Sequence, residues 1–140
     1  VNNFLEKEIQ KNTFNEMSAV GASLKAIPDN SVLHLANSMA VRYANFIGLK
    51  GKKAVRVKAN RGTSGIDGSN STAFGNALVT DQLVTLITGD LAFFYDRNAF
   101  WNNYRVPNLR IILINNHGGV IFRMIQGRAD QKPLSILSQK

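Results

Sequence analysis

The sequence predicts an α/β fold of three layers, in which a parallel sheet carries helices on both faces. Three observations predict it: short apolar runs of strand type recur, segments with helical spacing of apolar residues separate them, and glycine- or asparagine-rich breaks follow. Strand, loop and helix in this alternation form the crossover units of a parallel sheet. The 140 residues, 44% of them apolar and none of them cysteine, suffice for one core without disulfides or thiolate metal sites.

Each predicted element has a local signal. Apolar residues at three- and four-residue spacing indicate the first helix, which is interrupted near Asn12-Thr13 and ends at Pro28. Asn37-Ser38 cap the second helix, which Gly48 ends. The aromatic clusters at 93–95 and 100–101 are assigned to the core. The predicted helices are residues 4–27, 39–47, 71–78 and 91–105; the predicted strands are residues 32–36, 54–58, 83–88 and 109–114.

The breaks that follow the four strands hold the residues suited to ligand chemistry. They are residues 36–38, the glycine loop 60–68, residues 89–90 and residues 115–119. Ligands of open parallel sheets bind beyond the carboxyl ends of the strands. We therefore expect these segments to meet at one edge of the sheet.

Spacing excludes several familiar sites. Gly62, Gly65 and Gly68 form G-x-x-G-x-x-G, which is neither the dinucleotide fingerprint nor a P-loop. In a nucleophile elbow a glycine stands two residues after the serine, whereas Ile66 stands two residues after Ser64. The two histidines, His34 and His117, are too few for a convincing triad or zinc site, and we assign both to structural roles.

A magnesium and phosphate site fits the remaining residues. Asp90 offers a carboxylate, Asn116 an amide oxygen, and the sharp turn at Gly118 a backbone carbonyl, which together with phosphate and water match the ligands of Mg²⁺. The N–H groups of residues 89–91 would face the same phosphates. The alternative is that Asp90 only caps a helix and residues 115–119 form an ordinary turn.

At this point the motifs resemble those of thiamine diphosphate-dependent enzymes, in which GDG precedes NN. Here Gly89-Asp90 and Asn115-Asn116 flank residues 91–114, and Leu91 replaces the third glycine. With Ser38, Arg42 and the segments NRGTSGIDG and NNHGGVIF, the chain is similar to the 2-succinyl-5-enolpyruvyl-6-hydroxy-3-cyclohexene-1-carboxylate synthase family of menaquinone biosynthesis. The patterns of that family are NRGxSGIDG, GDLxxxxD and NNxGGxIF, and the resemblance covers about residues 31–128.

The resemblance implies a thiamine diphosphate-binding fold and a transferase that uses thiamine diphosphate and Mg²⁺, or Mn²⁺. Such an enzyme decarboxylates 2-oxoglutarate and adds the succinyl carbanion equivalent to isochorismate. Residues 1–140 would be the C-terminal, diphosphate-binding domain fragment of a longer chain, without the pyrimidine-binding and middle domains. The partner would be the pyrimidine-binding domain of a second subunit in a homodimer or tetramer.

The resemblance also implies residue roles. Ile66 would keep the cofactor bent. The substrate carboxylates would meet Ser38, Arg42 and Arg61, and the fork of arginine suits carboxylates. The metal ligands would be Asp90, Asn116 and the Gly118 carbonyl, and the further cofactor contacts would be Gly89, Leu91 and Phe122.

The activating glutamate of the family is expected from the missing pyrimidine-binding domain. This chain contains only Glu6, Glu8 and Glu16, all in the N-terminal helical segment, and we expect none of them to reach the ligand edge. No catalytic residue is therefore assigned here, and the isolated fragment is expected to be inactive.

Two alternatives stay open. Another thiamine-dependent carboligase or decarboxylase, of the acetolactate synthase type, would share the cofactor motifs; the paired arginines and Leu91 favour the first family. A basic nucleic-acid module is suggested by the net charge of +8 and the dense run at residues 50–61, which a solvated loop and strand edge also explain. We expect a cytoplasmic protein without membrane partners, because the sequence shows neither a signal peptide nor a membrane span. We expect no nucleic-acid partner, because a nucleic-acid module would give Asp90 and Asn116 no role.

Overall fold

The computed structural model describes residues 14–119 and residue 121. Strands and helices alternate through this part of the chain, as the sequence predicts. Among these residues, no helix combines the length and the apolar character needed to cross a bilayer. The elements are α1 (Glu16–Ala26), β1 (Val32–Leu35), α2 (Met39–Ile47), β2 (Arg56–Ala59), α3 (Ser69–Leu78), β3 (Val84–Gly89), α4 (Asp90–Tyr95), a 3-10 turn (Arg97–Phe100) and β4 (Leu109–Ile114).

The four strands form one parallel sheet in the order β2-β1-β3-β4. Leu35 at the end of β1 pairs with Ala59 of β2 and with Ile87 of β3, so the carboxyl ends of these strands lie at the same edge. From β1 the chain first adds a strand on one side and then builds the other side with β3 and β4. The point between β1 and β3 is therefore the topological switch point, where open α/β sheets bind ligands.

Helices cover both faces of the sheet because side chains alternate along the buried strands. Leu33 and Leu35 of β1 pack in one core cluster with α1 and α2. Val32, on the other face of β1, packs in a second cluster with α3 and β3. Burying a large aliphatic side chain contributes roughly 1.5–3 kcal/mol, so the two clusters hold three layers together. The predicted fold class is confirmed.

The first helix begins at a capped terminus. The Asn15 side chain accepts a hydrogen bond from the Ser18 N–H at 2.9 Å, and the Ser18 hydroxyl accepts one from the Asn15 N–H at 3.0 Å. This reciprocal pair is a capping box, which satisfies two donors at the helix start. Residues 4–13 of the predicted helix lie outside the described residues. Gly48 ends α2 with a φ of +73°, as predicted.

The helix predicted over residues 91–105 is wrong in its extent. α4 ends at Tyr95, and a 3-10 turn reaches only Phe100. The Asp96 carboxylate accepts hydrogen bonds from the N–H and the hydroxyl of Ser71, both at 2.6 Å, which ties the chain to the start of α3. Asn102 then bonds locally to the Ala99 carbonyl and to the Tyr104 N–H, a pattern that competes with helix.

The aromatic clusters divide between the core and the surface. Phe93 stacks on Phe100 with 5.7 Å between ring centroids, and Phe100 meets the edge of Phe74 at 6.0 Å. The core assignment is wrong for Phe94, Tyr95 and Trp101, which are 59%, 73% and 75% exposed.

The basic run at residues 50–61 includes an edge strand. Arg56, Val57 and Lys58 of β2 are exposed, and among the described strands β2 pairs with β1 alone. Arg56 donates to the Gln82 side chain, and the Lys52 ammonium donates to the Lys25 carbonyl at 2.7 Å. A solvated loop and strand edge therefore accounts for this run.

Candidate functional site

A pocket opens at the switch point, between the carboxyl ends of β1 and β3 and the turn after β4. The expected meeting of the strand-end segments at one edge is confirmed, because all four of those segments approach it. The residues that line the pocket are Glu16, Val20, Asn37, Ser38, Met39, Ala40, Tyr43, Ile66, Gly89, Asp90, Leu91, Ala92, Ile114, Asn116, Gly119 and Ile121.

Asp90 connects the end of β3 to the turn after β4. It is the first residue of α4, it is only 8% exposed, and its Oδ2 accepts a hydrogen bond from the Gly118 N–H at 2.9 Å. Its Oδ1 accepts the Leu91 N–H at 2.8 Å, so this N–H, which was expected to face phosphate, is already used. A carboxylate at a helix N-terminus is electrostatically favoured.

Asn116 brings a second oxygen to the same place. Its Oδ1 accepts from the Gly118 N–H at 3.2 Å, the N–H that also serves Asp90. Residues His117, Gly118 and Gly119 have φ of +60°, +120° and +55°, and two glycines make this left-handed turn accessible. The carboxylate and the amide oxygen therefore converge from different strands on one hydrogen atom. Their role as metal ligands, with the Gly118 carbonyl, stays a prediction.

Glu16 lies in this pocket, and the expectation that it could not reach the ligand edge is wrong. It is the first residue of α1, and its carboxylate accepts hydrogen bonds from the Asn116 Nδ2 and, at 3.5 Å, from the Tyr43 hydroxyl. α1 has 11 residues, about 16 Å, and runs toward the start of β1, so its own start stands at the opposite, carboxyl edge. That direction was available from the sequence, since a helix that leads directly into a strand must begin beyond the strand's far end. Glu6 and Glu8 lie outside the described residues.

The Glu16 carboxylate affects the pKa of Tyr43. Its burial and the negative charge of Glu16 raise the pKa of the Tyr43 hydroxyl above its ordinary value, and its hydrogen bond to Glu16 acts in the same direction. The hydroxyl therefore stays a proton donor at neutral pH. Both carboxylate oxygens of Glu16 thus have a side-chain donor.

Asn37 holds the glycine loop against the end of β1. It is 3% exposed; its Nδ2 donates to the Asn60 carbonyl at 2.8 Å and to the Gly65 carbonyl, and its Oδ1 accepts from Arg61 Nη1 at 3.3 Å. The predicted cap is confirmed in position, since Ser38 directly precedes Met39, the first residue of α2, but the Asn37 amide bonds to the loop and not to the helix. Ser38 makes no capping hydrogen bond and has a φ of +76°. It nevertheless lines the pocket as expected of a ligand residue.

The other predicted site residues are distributed unevenly. Gly89, Leu91 and Ile66 line the pocket, whereas Phe122 lies outside the described residues. Arg42 and Arg61 are exposed and do not line it; Arg61 is nevertheless bonded to Asn37, which does. Their contact with substrate stays a prediction.

The structural assignment of His34 is confirmed. This buried residue of β1 shares a hydrogen bond with Asn76 Oδ1 of α3 through its Nε2 at 3.0 Å. Burial lowers the pKa of the His34 imidazole below its ordinary value, because the charged form loses hydration. Within residues 14–119 and 121, no group of three or more His, Asp or Glu side chains is placed to hold a metal ion.

The fold and the pocket define a class: an α/β protein whose switch point holds a largely apolar pocket, at which two carboxylates and two side-chain amides are placed. Curated relatives define the family more closely. The chain is homologous to a segment of the 2-succinyl-5-enolpyruvyl-6-hydroxy-3-cyclohexene-1-carboxylate synthases, and the resemblance noted from its motifs is confirmed.

Three of these relatives show the extent of the match. The chain is 63% identical to the synthase of Cytophaga hutchinsonii over 122 residues, which are 87% of the chain and 22% of the relative. It is 53% identical to the synthase of Bacteroides fragilis over 114 residues, which are 81% of the chain and 20% of that relative. It is 48% identical to the synthase of Christiangramia forsetii over 119 residues, which are 85% of the chain and 20% of that relative. The chain thus spans about a fifth of the length of these relatives. No protein-family model matches the chain.

Proposed function

We propose that this chain supplies the diphosphate- and metal-binding half of a thiamine diphosphate-dependent active site. The parent protein would transfer the succinyl group of 2-oxoglutarate, after loss of CO₂, to isochorismate in menaquinone biosynthesis. One observation carries the proposal: Asp90 and Asn116 direct oxygen atoms at the same Gly118 N–H inside the switch-point pocket. The identity of 48–63% to proteins named as synthases supports the reaction.

The donor atoms fit a hard cation with a diphosphate. Mg²⁺ takes oxygen ligands, and it is usually held by one or two carboxylates together with substrate phosphates. Here one buried carboxylate, Asp90, and one amide oxygen, Asn116, are available side by side. We assign the cation to these two side chains and the Gly118 carbonyl, with Mn²⁺ as an alternative to Mg²⁺.

The remaining pocket residues would orient the organic part of the site. Bound thiamine diphosphate supplies the carbon nucleophile for decarboxylation and transfer, while protein residues supply its position and surroundings. Ile66, half-buried in the pocket wall, provides an apolar support, and Gly89 and Leu91 form the wall beside Asp90. Arg61 donates a hydrogen bond to Asn37, which lines the pocket, and we assign its guanidinium to a substrate carboxylate together with Ser38 and Arg42.

The chain alone would hold half of the site. We propose that a pyrimidine-binding domain from a second subunit supplies the activating glutamate, which makes the parent protein at least a dimer. The isolated 140-residue chain is then expected to be inactive and to bind the cofactor weakly.

The test is a mass spectrum of the product made by the full-length parent with thiamine diphosphate, Mg²⁺, 2-oxoglutarate and isochorismate. A succinylated cyclohexene carboxylate supports the proposal, and omission of Mg²⁺ or cofactor should abolish it. Consumption of pyruvate, with no reaction of 2-oxoglutarate, would keep the cofactor and transfer the protein to the acetolactate synthase type. Turnover that is unaffected by cofactor and Mg²⁺ would reject the proposal.

A further inference from the structure

Glu16 contacts the proposed metal site from outside the residues assigned to it. The carboxylate belongs to the first turn of α1, yet it bonds to Asn116 at the end of β4 and to Tyr43 of α2. Three elements that are distant in the chain therefore meet at one carboxylate. The sequence motifs assign nothing to this position.

The contact with Asn116 selects one of two amide orientations. A side-chain amide has an oxygen that accepts and a nitrogen that donates, and the two ends exchange by rotation. An ionised carboxylate only accepts, so Glu16 pairs with the nitrogen, Nδ2. The oxygen, Oδ1, is then directed to the opposite side, where it meets the Gly118 N–H at 3.2 Å beside the Asp90 carboxylate.

The opposite orientation would disable the site. It would place the amide NH₂ group against the Gly118 N–H, donor against donor, and would face Glu16 with an oxygen. A hard cation binds amide oxygens and not amide nitrogens, so the rotated Asn116 could not be a ligand. The Tyr43 hydroxyl donates to the other oxygen of Glu16, so both carboxylate oxygens accept hydrogen bonds from protein side chains.

We propose that Glu16 is a positioning residue that fixes the Asn116 amide with its oxygen toward Asp90, and so preorganises the cation site. This inference depends on the proposed function, since it assumes that the two oxygens bind a cation with the cofactor diphosphate. Residues that orient metal ligands from outside are worth about 10- to 100-fold in metal affinity or activity.

The experiment measures Mn²⁺ affinity of the full-length parent in the presence of thiamine diphosphate, by the electron paramagnetic resonance signal of free Mn²⁺. Glu16→Ala should weaken Mn²⁺ binding by about 10-fold or more. Glu16→Gln can accept from Asn116 Nδ2 but can also donate to the rotated amide, so it no longer selects one orientation and should weaken Mn²⁺ binding, by less than Glu16→Ala does. Tyr43→Phe, the matched control, leaves the Glu16–Asn116 contact and should stay within about threefold of the parent.

A swapped pair separates positioning from a general effect on folding. Asn116→Asp keeps an oxygen ligand but faces Glu16 with a second carboxylate, and should weaken Mn²⁺ binding. Adding Glu16→Gln should then restore it, because the new amide nitrogen can donate to the new carboxylate. Glu16→Gln is thus expected to weaken Mn²⁺ binding beside Asn116 and to strengthen it beside the aspartate, a reversal that a merely structural role does not produce. These variants conserve side-chain size, so they decide the matter even if Glu16→Ala unfolds.

The outcomes are distinguishable. If the unaltered parent binds no Mn²⁺ with thiamine diphosphate, the proposed function fails, and this inference with it. If the parent binds Mn²⁺ and Glu16→Ala binds it equally well, or the swapped pair shows no restoration, the positioning role is wrong while the site stands. Loss of turnover in Glu16→Gln at unchanged Mn²⁺ and cofactor affinity would also overturn it, since it would indicate that Glu16 acts on the reaction directly.

Discussion

Removing the Asn37 amide should release the glycine loop at residues 60–65. Nδ2 of this buried side chain donates to the carbonyls of Asn60 and Gly65, at 2.8 Å in the first case. A hydrogen bond in this setting contributes about 1 kcal/mol net, so two of them contribute about 2 kcal/mol against local opening of the loop. That free energy corresponds to an increase of about 30-fold in the opening equilibrium.

Hydrogen–deuterium exchange of the full-length protein, followed by mass spectrometry, measures this opening. In Asn37→Ala, amides of the loop peptide, including the Arg61 N–H that donates to Ala59 at 2.9 Å, should exchange about 30-fold faster. Asn37→Asp preserves the side-chain volume but has no donor, so it should accelerate exchange at least as much. Asn45→Ala, at an exposed asparagine of α2, is the control and should leave the loop unchanged.

Two results would refute the reasoning. Exchange of the loop within threefold of the parent would show that Asn37 does not hold it. Equal acceleration across all peptides would show that the substitution unfolds the domain instead of opening the loop.

Three further predictions concern the site, pH and the core. Asp90→Ala should abolish Mg²⁺-dependent binding of thiamine diphosphate in the full-length protein, whereas Arg61→Ala should spare this binding and impair the use of the dicarboxylate substrates. Calorimetry measures the cofactor binding, and steady-state kinetics measure the use of the substrates. Normal cofactor affinity of Asp90→Ala would contradict the assignment of Asp90 to the metal. Burial lowers the pKa of His34 in the folded state, so the stability that neutral His34 contributes is present above about pH 6.5, the ordinary histidine value, and is lost as the pH falls below that value. Urea unfolding between pH 5 and 8 should show this loss of stability, and the loss should be smaller in His34→Gln. Ile87→Ala empties a fully buried position between β3 and its helices and should lower the free energy of unfolding by about 2–5 kcal/mol, against less than about 0.5 kcal/mol for exposed Val79→Ala.

Local patterns predicted the strands well because their signal is local. The segment 109–114, apolar except for Arg110, is β4 to the residue, and the breaks after the strands meet at one edge as parallel pairing requires. The extent of the helix after Asp90 could not be predicted this way. Its end depends on the bonds from Asp96 to Ser71, 25 residues away, which no periodicity within the helix records.

For two polar residues the sequence analysis expected the wrong surroundings, and the physical reason is the same in both cases. Asn37 has the local signature of a helix cap, but its amide satisfies carbonyls 23 and 28 residues further along the chain. Glu16 has the signature of a surface helix residue, yet it bonds to Asn116, 100 positions away. A buried or half-buried polar group takes the partner that the fold brings to it, and its local preference decides only when the fold brings none.

Topology could have recovered one of these misses without any structure. In a sheet of parallel strands, every helix that leads into a strand or follows one runs opposite to the strands, so α1, α2, α3 and α4 begin at the carboxyl edge. Two of their first residues, Glu16 and Asp90, are acidic, and a helix N-terminus favours a negative charge. The same edge therefore collects two carboxylates, one of which accepts the Gly118 N–H directly while the other holds the Asn116 amide that shares this N–H. The direction of the helices, more than any single motif, explains why acidic residues far apart in the sequence act on one site.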